Sequence, residues 1–450
     1  MRRYRADPKG LPPVIRLPLA ALALALLGGC AYPYNPPALP PVTNAAPAAM
    51  TGTAPVAPMR EERQPVTILV SIDGFRADYL QRGITPNLSR LAAGGVSAPM
   101  RPSFPSKTFP NHWTLVTGLV PDRHGIVANS FTDPTHPGER FTMSSEQPYW
   151  WNAAEPIWVT AEKAGIPTAT MFWPGSTVAW GGVLHDDIHH TVTGGIRPHD
   201  WQAYNSAVSD RQRVDALIDW LRRPAATRPR FLTLYIDEVD IAGHEVGPDA
   251  PGVNAAIAKA DVAIGQLVAG LAELHQPANL LVVADHGMAA TSSDRVIALD
   301  QLLDPADYDL SDDGPFASIT ARPGREAALE ARLLGRRGHM TCWRKSEIPA
   351  RFHYGRNPRI APYFCLADAG WMIEAKAPDK PFAGGMHGYD HEDPTMVALF
   401  IANGPAFRSG VRLAPFANVD VAPLLRDLIG LPPGQGLDGN DAPFRRAFRR

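Results

Sequence analysis

The chain has 450 residues, of which 45% are hydrophobic and 20% are charged, and its formal net charge is −2. This composition is typical of a folded globular protein and excludes a fibrous or wholly disordered chain. Beyond the N-terminal segment the basic residues cluster only in the short "RRAFRR" at the C-terminus, which argues against a basic nucleic-acid-binding surface.

The N-terminus has the pattern of a targeting segment. Basic residues precede the apolar stretch "LPLAALALALL", which is too short to span a bilayer comfortably and fits the core of a signal peptide. The stretch ends in "LGGC", which resembles the lipobox of bacterial lipoproteins, where the cysteine is lipidated after cleavage. We therefore expect residues 1–29 to be a signal peptide and Cys30 to carry a membrane anchor, with a plain secretory signal as the alternative. By the same resemblance, Ala31 favours a periplasmic protein anchored to the outer membrane of the cell envelope.

A tether is expected to follow the anchor. Residues 30–65 are rich in proline and alanine and lack a periodic apolar pattern, which predicts an extended, poorly ordered segment. Beyond it only Cys342 and Cys365 remain. An even pair of cysteines in an oxidising compartment predicts a disulfide, and two buried free thiols are the alternative.

Continuous apolar runs indicate strands that are buried on both faces. The clearest are "VTILVSIDGF" (66–75), "RFLTLYIDEVD" (230–240) and "NLLVVADHG" (279–287). Helix-like patterns lie between them, over residues 210–223 and 252–274. Strands that alternate with helices predict an α/β fold with a doubly wound, mostly parallel sheet flanked by helices.

Residues 296–375 interrupt this alternation. They contain both late cysteines, the proline-rich "RFHYGRNPRIAPYF" and the strand-like "GWMIEAK". We interpret them as a small inserted α+β subdomain that divides the α/β core into residues 66–295 and 376–450. The core resumes with "MVALFIANGPAF" (396–407) and a closing helix near "VAPLLRDLIG".

Acidic side chains follow the predicted strands at their carboxyl ends. They are Asp73, Asp240 and Asp285, the last with His286 beside it. Ligands of open α/β sheets bind at this edge. A single acid there would mean little, because acids often cap the following helix. Three on one edge predict a shared site.

Histidines complete the acidic set. His244 stands four residues after Asp240, so a helical turn or a bent loop would direct both side chains at one cation. Asp285 and His286 would point to opposite faces of a strand, but the glycine that follows them permits a turn. His387 lies among the glycines of "GGMHGYD", which allow close backbone approach.

Imidazole and carboxylate ligands without a thiolate suit zinc. Six such side chains divide into two three-ligand sites, each with an open position, and a pair of metal ions is the clamp used in phosphoryl transfer. Thr108, in "KTFPNHWTLVTG", is either a helix cap or a nucleophile. A metal-bound Thr108 would be held as the alkoxide and would need no neighbouring base.

The motifs have a specific resemblance. "SIDGFRADYL", "PSFPSKTFPNHWTLVTGLVPDRHGIVAN", "DEVDIAGHEVGP", "VVADHGM" and "GGMHGYD" occur in the order and composition of the nucleotide pyrophosphatase/phosphodiesterase family, a branch of the alkaline phosphatase superfamily. The similarity extends from about residue 66 to about residue 430. It implies an alkaline phosphatase-like fold and hydrolysis of nucleotide phosphodiester or pyrophosphate bonds.

The resemblance also implies two zinc ions. The ligand sets carried over from the family are Asp240, His244 and His387 for one ion, and Asp73, Asp285 and His286 for the other. Thr108 would be the fourth ligand of the second ion and the nucleophile, forming a covalent phosphothreonine before hydrolysis.

Substrate contacts are implied in the same way. Asn129 would donate a hydrogen bond to a non-bridging phosphate oxygen, and Phe109 and Tyr204 would sandwich a nucleobase. A turn-shaping asparagine and ordinary buried aromatics are the alternatives. The chain departs from the usual pattern in "DEVD", where relatives often have "EEPD", and at His391, where they often have Asn. Neither departure concerns an expected ligand, so they affect the expected substrate and leave the reaction type unchanged.

Other functions compete with this one. An alkaline phosphatase-like monoesterase would need a further cation for the extra phosphate charge, and Asn129 beside two aromatics favours a diester. A phosphodiesterase for lysophospholipid-type substrates is a second alternative. A sulfatase is disfavoured, because the nucleophile segment lacks the required cysteine or serine context. An anchored protein with structural zinc is disfavoured because such sites are usually closed by four ligands and rich in cysteine.

Overall fold

A nine-stranded mixed sheet forms the centre of the fold in the computed structural model of the chain, which describes residues 61–449. The predicted signal peptide, Cys30 and the predicted tether up to residue 60 lie outside the described residues. The strands of the described part are, in chain order, β1 (Val66–Ile72), β2 (Val96–Arg101), β3 (Phe131–Thr132), β4 (Arg140–Phe141), β5 (Thr168–Met171), β6 (Val183–Leu184), β7 (Val192–Thr193), β8 (Asp200–Gln202), β9 (Phe231–Ile236), β10 (Ala278–Val283), β11 (Ala289–Ser292), β12 (Val296–Ala298), β13 (Tyr308–Asp312), β14 (Phe316–Ala321), β15 (Gly335–Arg337), β16 (Met340–Arg344), β17 (Tyr363–Ala367), β18 (Met372–Glu374), β19 (Ala383–Met386), β20 (Ala398–Asn403), β21 (Val411–Arg412) and β22 (Phe416–Ala417).

Helices cover this sheet and connect its strands. In chain order they are α1 (Pro86–Ala93), α2 (Thr108–Thr117), α3 (Pro121–His124), α4 (Pro148–Trp151), α5 (Ile157–Lys163), α6 (Asp210–Leu221), α7 (Glu238–Val246), α8 (Pro251–Glu273), α9 (Glu326–Leu333) and α10 (Val421–Ile429). The predicted helices at 210–223 and 252–274 correspond to α6 and α8.

The strand order of the central sheet is β21-β2-β20-β10-β1-β9-β5-β8, and β22 also pairs with β2. The neighbours β10, β1, β9, β5 and β8 run parallel, which confirms the mostly parallel sheet. All seven residues of β1 are buried, as its continuous apolar run predicts. β20 is antiparallel to both β10 and β2, a direction that an apolar run cannot reveal.

The helix α8 is long and apolar enough, by length and composition alone, to cross a membrane. It instead packs against α1, α6 and α7. One face, which includes Val253, Ile257, Ile264 and Leu267, is buried in the main core. Its apolar composition is therefore that of a core helix.

A second sheet lies within the segment predicted to be inserted. Its five strands have the order β13-β14-β17-β16-β15, and they enclose a small hydrophobic core of their own. The predicted disulfide is present between Cys342 on β16 and Cys365 on β17, which are directly paired in the antiparallel register. The described residues form one compact unit, so the boundaries at 296 and 375 stay a prediction.

Candidate active site

The carboxyl ends of the adjacent parallel strands β1 and β10 bring Asp73 and Asp285 together. Because Ser71 of β1 is in register with Val283 of β10, Asp73 and Asp285 emerge at the same level of the sheet edge. The backbone N–H of Gly74 donates to Asp285 Oδ1 at 3.2 Å. Gly74 has φ +67°, and a Cβ there would lie 3.1 Å from Asp240, so a residue without a side chain is required at this close approach.

The other predicted ligands come from α7 and from the chain that follows β19. β9 ends at Ile236, and Asp240 and His244 lie on consecutive turns of α7, which decides between the helix and the bent loop in favour of the helix. Asp240 therefore lies beyond the end of the strand. His387 follows β19, which is paired with β11 and so returns to the β10 side of the site.

These side chains form two groups whose ligand atoms lie within 4.8 Å of one another. One group is Asp73, Asp285 and His286; the other is Asp240, His286 and His387. His286 Nε2 lies 3.4 Å from Asp73 Oδ1 and 2.9 Å from Asp285 Oδ2. The sequence assigned His286 to one set only, whereas the structure places it between both.

His244 joins the second group. Its Nε2 atom lies 3.4 Å from Asp240 Oδ2 and 3.2 Å from His387 Nε2. The rings of His387 and His286 are stacked with their centroids 3.5 Å apart. All six predicted ligands therefore meet in one cluster.

The hydrogen bonds of the three imidazoles fix their tautomer. Each ring has its Nδ1 next to a backbone carbonyl oxygen: His244 at 2.8 Å from Gly385, His286 at 2.9 Å from Gly287, and His387 at 2.9 Å from Ser106. A carbonyl can only accept, so Nδ1 carries the hydrogen and Nε2 keeps its lone pair. This is the orientation in which histidine binds a metal.

The carboxylates are also left with free acceptors. Asp73 Oδ1, Asp240 Oδ1 and Asp285 Oδ2 are buried without a hydrogen-bond partner. Three orphaned carboxylate oxygens that face three unprotonated imidazole nitrogens would be strongly unfavourable without a cation among them. The residues present therefore fit a metal centre, and their oxygen and nitrogen donors could hold one cation in each group.

The pKa values of several of the clustered side chains are shifted, chiefly because the side chains are buried close to one another. Burial, followed by the charges of Asp285 and Asp240, raises the pKa of Asp73 well above its usual range. Burial also raises the pKa of Asp285 to about 8. For Asp240 burial is outweighed mainly by His244, so its pKa is lowered. Burial lowers the pKa of His387 well below its usual value and keeps that ring neutral.

Thr108 begins α2 at the edge of this cluster. Its side chain is buried, and its Oγ1 lies 3.3 Å from His286 Nε2. The partial positive charge of a helix N-terminus favours an anion at this position. The hydroxyl is thus next to both ligand groups, and the N-cap position of α2 belongs to Lys107 and not to Thr108.

Asn129 is bound to the residue that follows Thr108, the predicted nucleophile. Its Oδ1 accepts a hydrogen bond of 2.9 Å from the backbone N–H of Phe109. The side-chain amide is therefore oriented by the first turn of α2, and Nδ2 keeps its hydrogens for another acceptor. The arrangement fits a donor to a phosphate oxygen.

The two predicted stacking residues lie in different surroundings. Phe109 is half-buried against the rings of Phe141 and Trp151, each with centroids 6.0 Å away. Tyr204 is half exposed, and its hydroxyl donates to Asp237 Oδ2 at 2.5 Å. No ring contact joins Phe109 to Tyr204 in the described part of the chain.

Several supporting residues were missed in the sequence. Tyr235 donates its hydroxyl to Asp73 Oδ2 at 2.6 Å. The His112 ring lies between the Thr108 carbonyl and Ser71 Oγ, at 2.9 and 2.8 Å, and burial lowers its pKa to about 3. His112 was visible within "KTFPNHW", four residues after Thr108, but the sequence gave no signal that its ring would contact Ser71 of β1.

A further polar network holds the start of α2. Asn111 accepts hydrogen bonds of 2.8 Å from the backbone N–H of Ser103 and from Asn418 Nδ2. Its own Nδ2 donates to the carbonyl of Lys107 at 2.8 Å. Asn111 is fully buried, so these bonds fix the segment that presents the nucleophile.

Lys107 connects the second sheet to the site. Burial lowers the pKa of Lys107, which the charge of Asp312 opposes. Burial raises the pKa of Asp312, the last residue of β13, to about 6. The second sheet therefore contributes a carboxyl group near the residue that precedes Thr108.

Comparison with known proteins gives a consistent result. Residues 67–390 match the family described as type I phosphodiesterase / nucleotide pyrophosphatase. The chain is 38% identical over 406 residues to an uncharacterized pyrophosphatase/phosphodiesterase of Schizosaccharomyces pombe, covering 85% of this chain and 81% of that protein. It is 38% identical over 371 residues to the bis(5'-adenosyl)-triphosphatase enpp4 of Xenopus laevis, covering 82% and 78%.

A longer relative and a solved structure extend the comparison. The chain is 36% identical to ectonucleotide pyrophosphatase/phosphodiesterase family member 3 of Rattus norvegicus, of which it spans 42%. Murine ectonucleotide pyrophosphatase/phosphodiesterase 5, in an inactive threonine-to-alanine form in complex with AMP, superimposes with a TM-score of 0.79 at 34% identity. The match covers 86% of this chain and 100% of that one.

Proposed function

Since this chain belongs to the type I phosphodiesterase / nucleotide pyrophosphatase family and has the alkaline phosphatase-like fold, we propose that it hydrolyses nucleotide phosphodiester or pyrophosphate bonds through a covalent intermediate on Thr108. The observation that carries the proposal is the position of the Thr108 hydroxyl. It stands at a helix N-terminus and 3.3 Å from His286 Nε2, the nitrogen that both ligand groups share.

Zinc is the metal that best suits the donor set. Asp240, His244 and His387 would hold one ion, and Asp73, Asp285 and His286 would hold the other. Imidazole and carboxylate donors without thiolate favour zinc over magnesium or calcium. When bound, zinc supplies Lewis acidity that lowers the pKa of a coordinated hydroxyl and neutralises phosphate charge.

The first chemical step belongs to Thr108. Its Oγ1 releases its proton to solvent and attacks the phosphorus of the substrate in line, an Oγ1–P bond forms, and the bond from phosphorus to the departing oxygen breaks. The departing oxygen takes a proton from solvent. Asn129 Nδ2 donates to a non-bridging oxygen and holds the phosphorus in place, because its own Oδ1 is fixed by the Phe109 N–H.

The second step restores the enzyme. Water attacks the phosphothreonine, its oxygen bonds to phosphorus, and the Oγ1–P bond breaks, so Thr108 regains its proton. His112 does not serve as the base, because it is buried and both of its ring nitrogens are engaged, one by the Thr108 carbonyl and the other by Ser71 Oγ. Its function is to hold α2 against β1.

A nucleotide is the substrate that the surrounding residues favour. Phe109 and the half-exposed Tyr204 offer aromatic faces on which a base can stack. The AMP complex of the murine relative and the name of the Xenopus relative support a nucleotide in this chain as well. Asn129, which we assign to the phosphate, is uncharged, and this suits the lower charge of a diester.

Matched substrates test this assignment. Thymidine 5'-p-nitrophenyl phosphate, methyl p-nitrophenyl phosphate and p-nitrophenyl phosphate share a leaving group, so their kcat/KM values compare a nucleotide diester, a simple diester and a monoester. We expect the nucleotide diester to be hydrolysed fastest. A large excess for the monoester would support an alkaline phosphatase-like monoesterase instead.

The aromatic contact is tested with the same pair of diesters. Tyr204→Ala should raise the KM for the thymidine diester about tenfold and leave the KM for the methyl diester unchanged, because only the thymidine diester has a base to stack. Tyr204→Phe is the matched control and keeps the ring. Equal effects of Tyr204→Ala on both diesters would show that the residue does not contact the base.

The membrane anchor is proposed on sequence grounds. A lipidated Cys30 would attach the enzyme to the periplasmic face of the outer membrane, with residues 31–65 as the tether. Metabolic labelling with palmitate, followed by membrane fractionation, tests this. Cys30→Ser should abolish both the label and the membrane association, whereas label on the variant would contradict the proposal.

A further inference from the structure

A cavity of about 450 Å³ lies beside the segment that leads into Thr108. None of the predicted metal ligands or substrate-binding residues lines it. Its wall includes the rings of Phe104 and Phe352, and Arg101, His391 and Asp420 supply polar groups. The volume falls within the range of small-molecule sites, which combine apolar walls with a few polar groups.

His391 offers a hydrogen-bond donor at this cavity. The residue is 7% exposed and packs between Phe104 and Phe352, with ring centroids 6.2 and 5.7 Å away. Its Nδ1 is buried without a partner, and Nε2 has no hydrogen bond to any described residue. A buried donor without an acceptor is costlier than a buried acceptor without a donor, so the hydrogen belongs on Nε2. Burial lowers the pKa of His391 to about 4, so the ring is neutral and donates once.

Arg101 supplies a positive charge at this cavity, which acts on Asp420 but forms no ion pair with it. It is the last residue of β2, held in the sheet by β22, and its guanidinium has neither a hydrogen bond nor an ion pair with a described residue. The other arginine of the cavity differs, because Arg351 pairs with Asp390 and Glu392. A half-buried guanidinium without a counter-ion is the group to which an anion would bind.

The acidic groups of the cavity do not fill this role. Asp420 Oδ1 accepts the backbone N–H of Asn440 at 2.8 Å, and Asp438 pairs with Arg123. Burial raises the pKa of Asp420, although the charge of Arg101 acts against that shift. The cavity thus retains a free guanidinium and a free imidazole N–H, both of them donors.

We propose that this cavity binds a small organic oxyanion, a phosphate-type or carboxylate group on a compact apolar body, with Arg101 and His391 as the donors. The Phe104 and Phe352 rings would contact the apolar body. The site is separate from the hydrolytic function and involves none of its residues.

Calorimetric titration of the full, metal-loaded chain with phenylphosphonate and with benzoate tests the proposal. Both probes are stable to hydrolysis and have an aromatic body, and they separate a phosphorus oxyanion from a carboxylate. We expect at least one of them to bind. Arg101→Gln and His391→Phe should each weaken that binding at least tenfold, because each removes one donor. If Arg101→Gln fails to fold, His391→Phe still tests the proposal, because it keeps the aromatic packing.

Two controls separate this site from the metal cluster. Arg445→Gln, at an exposed arginine outside the cavity, should leave the affinity unchanged. Thr108→Ala should also retain the binding, although it should stop hydrolysis, so failure of the proposed function and failure of this site are distinguishable. Absence of binding by both probes, or equal affinity in wild type, Arg101→Gln and His391→Phe, would overturn the proposal.

Discussion

The Nε2 atoms of His244 and His387 lie 3.2 Å apart, and neither carries a hydrogen, because the Nδ1 atom of each ring faces a backbone carbonyl. Two lone pairs at this separation repel unless a cation lies near both. This pair is therefore the clearest sign in the described chain that the cluster is built for a metal.

The first prediction concerns metal content. His387→Ala should reduce bound zinc from two equivalents to about one per chain, because it removes a ligand from one group and leaves Asp73, Asp285 and His286 in place. Elemental analysis of the purified protein measures this. His339→Ala, at an exposed histidine paired with Asp368, is the control and should keep both equivalents. Two equivalents in His387→Ala would contradict the assignment.

The second prediction concerns the nucleophile. Thr108→Ala should lower kcat for a nucleotide diester by roughly 10⁴-fold or more, since the covalent route is lost, while zinc content stays near that of the wild type. Thr108→Ser should recover part of the rate because it restores a hydroxyl. An undiminished rate in Thr108→Ala would remove this residue from the mechanism.

The third prediction separates the two functions of Asn129. Asn129→Asp keeps an acceptor for the Phe109 N–H but replaces the Nδ2 donor with an oxygen that repels phosphate. We expect kcat/KM to fall about 10²- to 10³-fold with little change in thermal stability. Steady-state kinetics and a melting curve measure the two effects. A loss of stability with unchanged kcat/KM would show that the residue only shapes the turn.

The fourth prediction concerns pH. The folded-state pKa values of Asp73 and Asp285 are raised, the latter to about 8, chiefly by burial. Because these pKa values are raised, the stability that the two carboxyls contribute to the metal-free protein is fully present at low pH and is lost as the pH rises toward about 8. We expect the Tm of chelator-treated protein to fall by several degrees between pH 5 and pH 8.

The metal-loaded protein is the control for this prediction. Bound cations remove the penalty for ionising Asp73 and Asp285, so the difference in Tm between loaded and metal-free protein should widen across the same window. Taking the difference cancels groups away from the cluster, such as Asp210, whose pKa is raised to about 6 mainly by burial. A constant difference would show that these two carboxyls are not the metal ligands.

The fifth prediction concerns the disulfide. Replacing Cys342 and Cys365 together with alanine should destabilise the protein by about 3 kcal/mol, because the bond closes a loop across a separation of 23 residues. Denaturant unfolding with and without a reducing agent measures this. The reducing agent should lower the free energy of unfolding of the wild type and leave that of the double variant unchanged. Zinc content should stay the same, since neither cysteine belongs to the cluster.

The metal cluster could be predicted from sequence because each ligand stands at a point where a pattern changes. Asp73 and Asp285 end continuous apolar runs, and a parallel sheet brings such ends to one edge. Asp240 was predicted at the carboxyl end of a strand, which is wrong, because β9 ends at Ile236 and Asp240 lies on α7. Its spacing to His244 still indicated that the two side chains share a site. The shared position of His286 could not be predicted, because it depends on the distances between segments.

Other features left no sequence signal. The direction of β20 could not be predicted, since a strand buried on both faces has the same apolar run in either orientation. In the sequence, Tyr235 cannot be distinguished from the other residues of a buried strand. In the structure, its hydroxyl donates a hydrogen bond to Asp73. The charge of Asp312 acts on Lys107 only because the second sheet folds back toward α2, a long-range packing event.

The wide spacing of the metal ligands has a consequence for synthesis of the enzyme. The ligands extend from Asp73 to His387, and the polypeptide between the last two ligands contains the whole second sheet. A nascent chain cannot complete the group of Asp240, His286 and His387 until residue 387 has left the ribosome. Hydrolytic competence therefore arises late, after synthesis of most of the polypeptide, and every C-terminal truncation before that residue yields an enzyme without its full ligand set.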